Sequence, residues 1–403
     1  MPAQWCITLR ILSRHQIKSM PQIDPDTPPL PVSTTPQIVW NEGGEKRSAR
    51  WRAEGGNPPP KRLVLADDTL KADAAYRLAC EGTGLLWRGD FQNARQLLQA
   101  MARRAERKAR QPATPAEAFN QHRQAQAQRA RTLGLLLIPF TDDLTIPLRR
   151  APDVRLACRE AGWSGDGPCV ASLREVLGLV GAHEWRKKGV PIAALEARIH
   201  PHYGVFSPIR GEYLALVAEA PLPSRTLAFD IGTGTGVIAA ILARRGVAQV
   251  VATDQDPRAL ACARENLGRL TLDKQVTVIE ADLFPPGKAP LVVCNPPWVP
   301  ARPSSPIEHA VYDPESHMLR GFLAGLTAHL AADGEGWLII SDLAEHLGLR
   351  PREQLLAWIA DAGLKVVGRI DTRPKHPKAS DPDDPLHQAR AREITSLWRL
   401  AAA

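Results

Sequence analysis

Leu227-Ala-Phe-Asp-Ile-Gly-Thr-Gly-Thr-Gly-Val-Ile-Ala-Ala240 is the stretch that decides the fold. It reads as a short apolar strand, a turn with glycines at alternate positions, and the start of a small-residue helix, which is the sequence form of a nucleotide-cofactor site. Gly232, Gly234 and Gly236 let a ligand lie against the main chain with no Cβ in the way, and Thr233 sits between the first two. The helix predicted from Val237 to Arg244 aims its free N–H groups at the turn, a favourable place for a carboxylate. Asp230 at the strand end would repel a pyrophosphate and suits a cationic amino group instead.

Downstream, Gln249–Asp254 is a second apolar run ending in an acid, and Asp254 stands at the distance beyond the glycines where an acid meets ribose hydroxyls. A third run, Val276–Asp282, also ends in an acid. Acids at the ends of three successive parallel strands line one crevice. A ligand with an amino acid part, a ribose and an adenine fits that row better than NAD, although Asp230 and Asp254 alone leave NAD open. Then comes Asn295-Pro296-Pro297-Trp298. An amide or arylamine nitrogen is a poor nucleophile because its lone pair is delocalised, so a site must hold it in place. The Asn295 side-chain oxygen and the Pro296 carbonyl can each accept one N–H, and Trp298 offers a flat face for stacking. Taken singly these features have bland readings: Asn-Pro-Pro is a common turn, Trp298 a core aromatic, Asp282 a helix cap. Their order and strand context carry the functional reading.

Together these residues resemble the class I S-adenosylmethionine-dependent methyltransferases, over roughly residues 188–403. The strand and turn look like the family's Asp-x-Gly-x-Gly-x-Gly motif, and Asn295–Trp298 like the Asn-Pro-Pro-aromatic motif of the branch that methylates planar nitrogens. That branch includes HemK-type glutamine methyltransferases, which modify translation termination factors or a ribosomal protein, and methylases of exocyclic amines in RNA and DNA. The resemblance implies a doubly wound, Rossmann-like α/β sheet with an antiparallel last strand and S-adenosyl-L-methionine as cofactor. It also implies that Asp230, Gly232, Thr233, Gly234, Gly236, Asp254, Asp282 and Asn295 surround that cofactor, and that Asn295, Pro296, Pro297 and Trp298 orient the acceptor. Phe206, Arg210 and Glu212 lie in His200–Tyr213, which resembles the segment preceding the catalytic domain in the glutamine methyltransferases; they are substrate-side candidates. The alternative for Arg210 and Glu212 is a surface ion pair of little energetic weight. The first expected acceptor is a glutamine amide of a translation protein or ribosome-associated substrate. The second is an exocyclic amine of ribosomal or transfer RNA, and a reading from another class is a cofactor-binding module without turnover.

Composition sets outer bounds. The chain has 403 residues, 44% of them hydrophobic, and a formal net charge of +8, which suits a polyanionic context. Cys6, Cys80, Cys158, Cys169, Cys262 and Cys294 are scattered without Cys-x-x-Cys or Cys/His clusters, so neither zinc nor a disulfide framework is expected. No apolar run reaches eighteen residues, and a cytoplasmic protein without a membrane span is expected. Residues 1–68, rich in proline from Pro21 to Pro60, read as a disordered tail or as an over-extended start with Met20 as the real start. Residues 69–187 read as a mainly helical substrate-recognition domain, with Ala94, Leu97, Leu98 and Met101 at helical spacing and Thr114-Pro-Ala-Glu117 as a cap. Arg103, Arg104, Arg107, Lys108 and Arg110 form a basic run that is either a solvated helix end or a footprint for RNA. Residues 189–206 read as a connecting hairpin. The insertion Val299–Met318 is expected to cover the substrate, and Lys375 and Lys378, in the charged loop Asp371–Pro385, are candidate phosphate contacts.

Overall fold

The computed structural model describes residues 36–105, 112–209, 211–303, 306–374 and 381–403. Arg107, Lys108, Arg110, Arg210, Lys375, Lys378 and Cys6 therefore lie outside the described residues, as does the segment 1–35.

Two sheets organise the chain. The first has six strands: β1 (Gln37–Glu42), β2 (Glu45–Arg52), β3 (Arg62–Ala66), β4 (Thr83–Trp87), β5 (Leu136–Phe140) and β6 (Cys169–Ser172), in the order β1-β2-β6-β5-β4-β3. Strands β3, β4 and β5 run parallel, as the helical crossovers between them require. Five helices accompany this sheet: α1 (Ala72–Cys80), α2 (Phe91–Arg104), α3 (Pro115–Leu133), α4 (Arg155–Glu160) and α5 (Leu173–Lys188). Helix α2 buries Ala94, Leu97, Leu98 and Met101, the periodic set legible in the sequence. Helix α3 starts on the anticipated cap: Thr114 Oγ1 accepts from Glu117 N at 3.1 Å, and Glu117 Oε2 accepts from Ala113 N at 2.8 Å.

Two expectations need correction here. Residues 37–66 are not a tail, because they supply β1, β2 and β3. The helices of residues 69–187 do not form a helical domain by themselves; they cover a six-stranded sheet. The reasons are physical. Strand β2, Glu-Lys-Arg-Ser-Ala-Arg-Trp-Arg, buries only Ala49 and Trp51, so its pattern reads as polar coil. Strands β4 and β5 are five-residue apolar runs that periodicity cannot tell from buried helix. A signal was present in Gly43-Gly44, whose φ angles of 63° and 83° make the two-residue hairpin turn that joins β1 to β2.

A short hairpin, β7 (Val190–Ile192) and β8 (Ala197–Ile199), leads into the second part. There α6 (Glu212–Glu219) precedes β9 (Leu227–Ile231), α7 (Val237–Arg244), β10 (Gln249–Asp254), α8 (Pro257–Arg269), β11 (Val276–Glu280) and β12 (Ala289–Cys294). Then follow α9 (His317–His329), β13 (Leu330–Ser341), α10 (Leu343–His346), α11 (Arg352–Asp361), β14 (Leu364–Thr372) and β15 (Thr395–Ala402). The sheet order is β11-β10-β9-β12-β13-β15-β14, with β9 to β13 parallel and β15 antiparallel to both of its neighbours. This is the doubly wound sheet with an antiparallel last strand. Order reverses between β9 and β12, the place where such sheets open a ligand crevice. Helix α7, Val-Ile-Ala-Ala-Ile-Leu-Ala-Arg, is apolar all round and is buried from Val237 to Ala243, while α9 and α11 pack the opposite side through Leu319, Phe322, Leu323, Leu326, Leu355 and Ile359.

Gly236 caps α7 at φ 80°, and a Cβ there would stand 3.2 Å from the Cα of Ala263 on α8. Its task is close helix packing. Gly236→Ala combines a strained φ with a backbone clash and is expected to destabilise the protein by ~1–3 kcal/mol in a urea melt. A midpoint no lower than that of the native protein would show that α8 yields without cost. Among the described residues no helix is long and apolar enough to cross a membrane, and the five cysteines are unpaired.

Candidate active site

Strand register brings the motifs together. Asp230 on β9 pairs with Ala252 on β10 and with Val293 on β12, so Asp230, Asp254 and Asn295 emerge at one edge of three adjacent strands. The intervening backbone is tightly tied: Thr233 N donates to Thr253 O at 2.8 Å, and Gly234 N donates to Asp254 Oδ2 at 3.0 Å. Asp254 Oδ1 accepts from Asp256 N at 3.0 Å, and burial raises its carboxyl above the ordinary value.

Asp230 is fully buried. Its Oδ2 accepts from Thr233 Oγ1 at 2.6 Å and from Ala239 N at 3.0 Å, while its Oδ1 is buried with no hydrogen-bond partner among the described residues. Burial pushes this carboxyl up to about 6, against the lowering effect of Thr233 and Ala239. An unpartnered carboxylate oxygen at a switch point is an acceptor awaiting a donor. Over Gly234 there is open space where a Cβ would stand, and at Gly232 that position lies 2.6 Å from the Met318 methyl. Asp282 stands two residues past the end of β11 and is exposed. Of the predicted cofactor residues, then, Asp230, Thr233, Gly234 and Asp254 form one bonded cluster with Gly232 in the same turn. Gly236 faces α8, and Asp282 lies on the rim.

On the acceptor side, Asn295 directly follows β12 and its Oδ1 accepts from Trp298 Nε1 at 2.9 Å. The sequence anticipated that this oxygen would be open to a ligand; the structure gives one of its two lone pairs to the motif's own indole. Trp298 is half-buried and stands edge-on to Tyr213 of α6, ring centroids 6.3 Å apart and planes at 90°. Cys294 is buried, and burial pushes its thiol far up, as suits a packing residue. Phe206 is half-buried, Glu212 begins α6, and Arg210 lies outside the described residues.

Two residues behind the motif were missed. Tyr213 is fully buried, and the buried charge of Asp230 adds to desolvation in raising its phenol. Arg350 is only 3% exposed; its Nη2 donates to the Trp298 carbonyl at 3.3 Å and its Nη1 to Ser316 Oγ at 3.2 Å. Arg350 thus props the motif from beneath, and no local pattern distinguishes it from a surface arginine. His309 and His317 join no group suited to a metal among the described residues.

Residues 196–349 match the family model described as Methyltransferase small domain. A release factor glutamine methyltransferase of Cereibacter sphaeroides is 33% identical over 168 residues, which cover 40% of this chain and 57% of that protein. A tRNA1(Val) (adenine(37)-N6)-methyltransferase of Shewanella loihica is 26% identical over 175 residues, or 41% of this chain and 69% of that one. A solved ribosomal protein L11 methylase from Lactobacillus delbrueckii aligns at 17% identity with a TM-score of 0.34, over 48% of this chain and 78% of its own. The chain spans little more than half the length of the first of these relatives.

The doubly wound sheet, the glycine turn and the Methyltransferase small domain match over residues 196–349 make this part of the chain similar to the class I S-adenosylmethionine-dependent methyltransferases. Its Asn295–Trp298 motif resembles that of their Asn-Pro-Pro-aromatic branch, to which the HemK-like relatives belong. The cofactor of the class is S-adenosyl-L-methionine, and the residues present fit it: a buried oxygen without a donor at Asp230, uncovered backbone at Gly234, and an acid at Asp254.

Titration of Asp230 gives a pH prediction. Its folded value, about 6, lies above the 3.8 of a free aspartate, so the ionised form costs the empty fold stability above about 6 and that cost disappears on acidification. A cation against Oδ1 favours the ionised form, so affinity for S-adenosylhomocysteine is expected to weaken roughly tenfold per pH unit below about 6. Calorimetric Kd values from pH 8 to 5 check this, and a flat profile would mean that Asp230 meets no ammonium.

Proposed function

We propose that this protein methylates the side-chain amide of a glutamine in a translation protein, and that it works in the cytoplasm. The observation that supports the reading is the closeness of Asp230, on β9, to Asn295, which directly follows the neighbouring parallel strand β12; in this reading the first receives the donor's amino group and the second the amide. S-adenosylmethionine supplies, when bound, a sulfonium methyl that leaves a neutral thioether behind. The chain supplies position. Asp230 and the turn at Gly232–Gly234 hold the donor's amino acid part, and Asp254 meets the ribose. The remaining lone pair of Asn295 Oδ1 and the Pro296 carbonyl accept the two N–H bonds of the amide and turn its nitrogen toward the methyl. Both oxygens would stabilise the positive charge that methyl transfer places on the amide nitrogen, which would then release one proton to water. Holding two reactants in this way is worth up to ~7–11 kcal/mol in favourable cases.

The glutamine reading draws support from the release factor methyltransferase relative. A second reading, an exocyclic amine in RNA, draws support from the tRNA adenine methyltransferase relative and from the net charge of +8. Incubation with radiolabelled S-adenosylmethionine and a ribosome-containing extract lacking the native enzyme separates them. Label in a protein band that survives ribonuclease, and that yields N5-methylglutamine on digestion, is the expected result. Label lost to ribonuclease would move the acceptor to RNA, and no label despite measured cofactor binding would leave a binding module.

A further inference from the structure

The loop after Trp298 is held from outside its own domain. Val299 and Tyr312 form a bridge, Asp313 N donates to Val299 O at 2.9 Å, and Asp313 accepts from Met318 N and Leu319 N at 3.1 Å each, so the loop closes on itself and on the start of α9. Its middle is gripped by α3. The Arg123 guanidinium lies 4.0 Å over the Tyr312 ring, with Nη1 3.1 Å from a Glu308 carboxylate oxygen and Nη2 donating to the Arg302 carbonyl at 2.7 Å. Phe119, one turn earlier on the same face, stands edge-on to Tyr312 and shares a buried cluster with Val299 and Trp298. Three directions of contact from one planar fork are a task for arginine that a lysine ammonium cannot reproduce.

A plain structural tie is the alternative. Other ties already join the first part of the chain to the second: Glu54 to Arg258 and Arg186 to Glu265 both end on α8. Arg123 is different in where it ends, on the loop that continues directly from the acceptor motif.

We propose that Arg123 is a positioning residue for the acceptor: from α3 it holds Arg302, Glu308 and Tyr312 of the loop that follows Trp298 and so sets how tightly the acceptor amide is held, without touching the donor. The inference rests on the amide-transfer reading above for what the loop receives. Arg123→Ala in the full chain tests it, with Arg123→Lys as the conservative partner. Amide exchange in peptides spanning 299–313 is expected to accelerate by roughly tenfold or more in the alanine variant. The KM for the acceptor should rise about tenfold while kcat changes less than about threefold, with the Kd for S-adenosylhomocysteine within about twofold of native. The lysine variant should fall between. Unchanged exchange in the loop overturns the proposal, as does faster exchange with an unchanged acceptor KM, or an equal loss of donor and acceptor binding. Should the native protein methylate RNA alone, the glutamine reading falls by itself, and the same KM comparison made on that RNA still decides the role of Arg123.

Discussion

Asn295→Ala is expected to lower kcat by ~10²–10³, the range measured when one preorganised polar contact to a reacting group is removed, with donor affinity nearly unchanged. Two effects are combined in this variant because Asn295 Oδ1 already accepts from Trp298 Nε1. Deleting the side chain removes an acceptor for the amide and also strands the indole N–H, which alone costs about 1–3 kcal/mol if it stays buried. Trp298→Phe separates the two effects, since it keeps an aromatic face against Tyr213 and releases the Asn295 oxygen. That variant should lose less than about tenfold in kcat, with stopped-flow or discontinuous label transfer as the readout. Equal losses in the two variants would mean that Asn295 serves to hold the tryptophan and does not touch the acceptor.

Asp230→Asn is expected to affect binding and folding unequally. Asparagine keeps an oxygen for Thr233 Oγ1 and Ala239 N but puts a donor where Oδ1 now lies without a partner. A charged hydrogen bond to the donor's ammonium is worth ~1.5–3 kcal/mol, so its loss should weaken S-adenosylhomocysteine binding by roughly 10–150-fold. The fold should hardly notice. Removing a buried carboxylate whose pKa stands at about 6 relieves a desolvation cost, which offsets the unpaired amide donor that replaces it. Calorimetry for the Kd and a thermal melt for stability check the contrast. A large drop in Tm with unchanged affinity would assign Asp230 to architecture. The pH dependence of binding should vanish in the same variant, since it rests on that carboxyl.

The catalytic sheet was legible because its signals are local. A strand, glycine turn and helix start are contiguous in Leu227–Ala240, and Asp254 and Asn295 follow at strand ends that apolar runs announce. The capping box at Thr114 and the face of α2 were legible for the same reason. What stayed hidden is non-local. Strand β2 earns its place by pairing in parallel with β6, more than a hundred residues downstream, and few of its side chains declare a buried face. Arg350 and Arg123 look like any surface arginine until the fold puts a tryptophan carbonyl beside one and a tyrosine ring beneath the other. The division of labour among the glycines was hidden too: Gly236 is spaced like Gly234, yet it serves the approach of α8 and not of a ligand.

The grip of α3 on the loop joins residues 185 positions apart, Arg123 and Glu308. Chains leave the ribosome from the N-terminus and fold largely in that order. Helix α3 precedes Tyr312 in that order, so the loop after Trp298 is expected to condense on a surface already folded. A transplanted second half, cut at the connecting hairpin, would carry every motif that resembles a methyltransferase and lack the helix that holds the loop after Trp298 in shape.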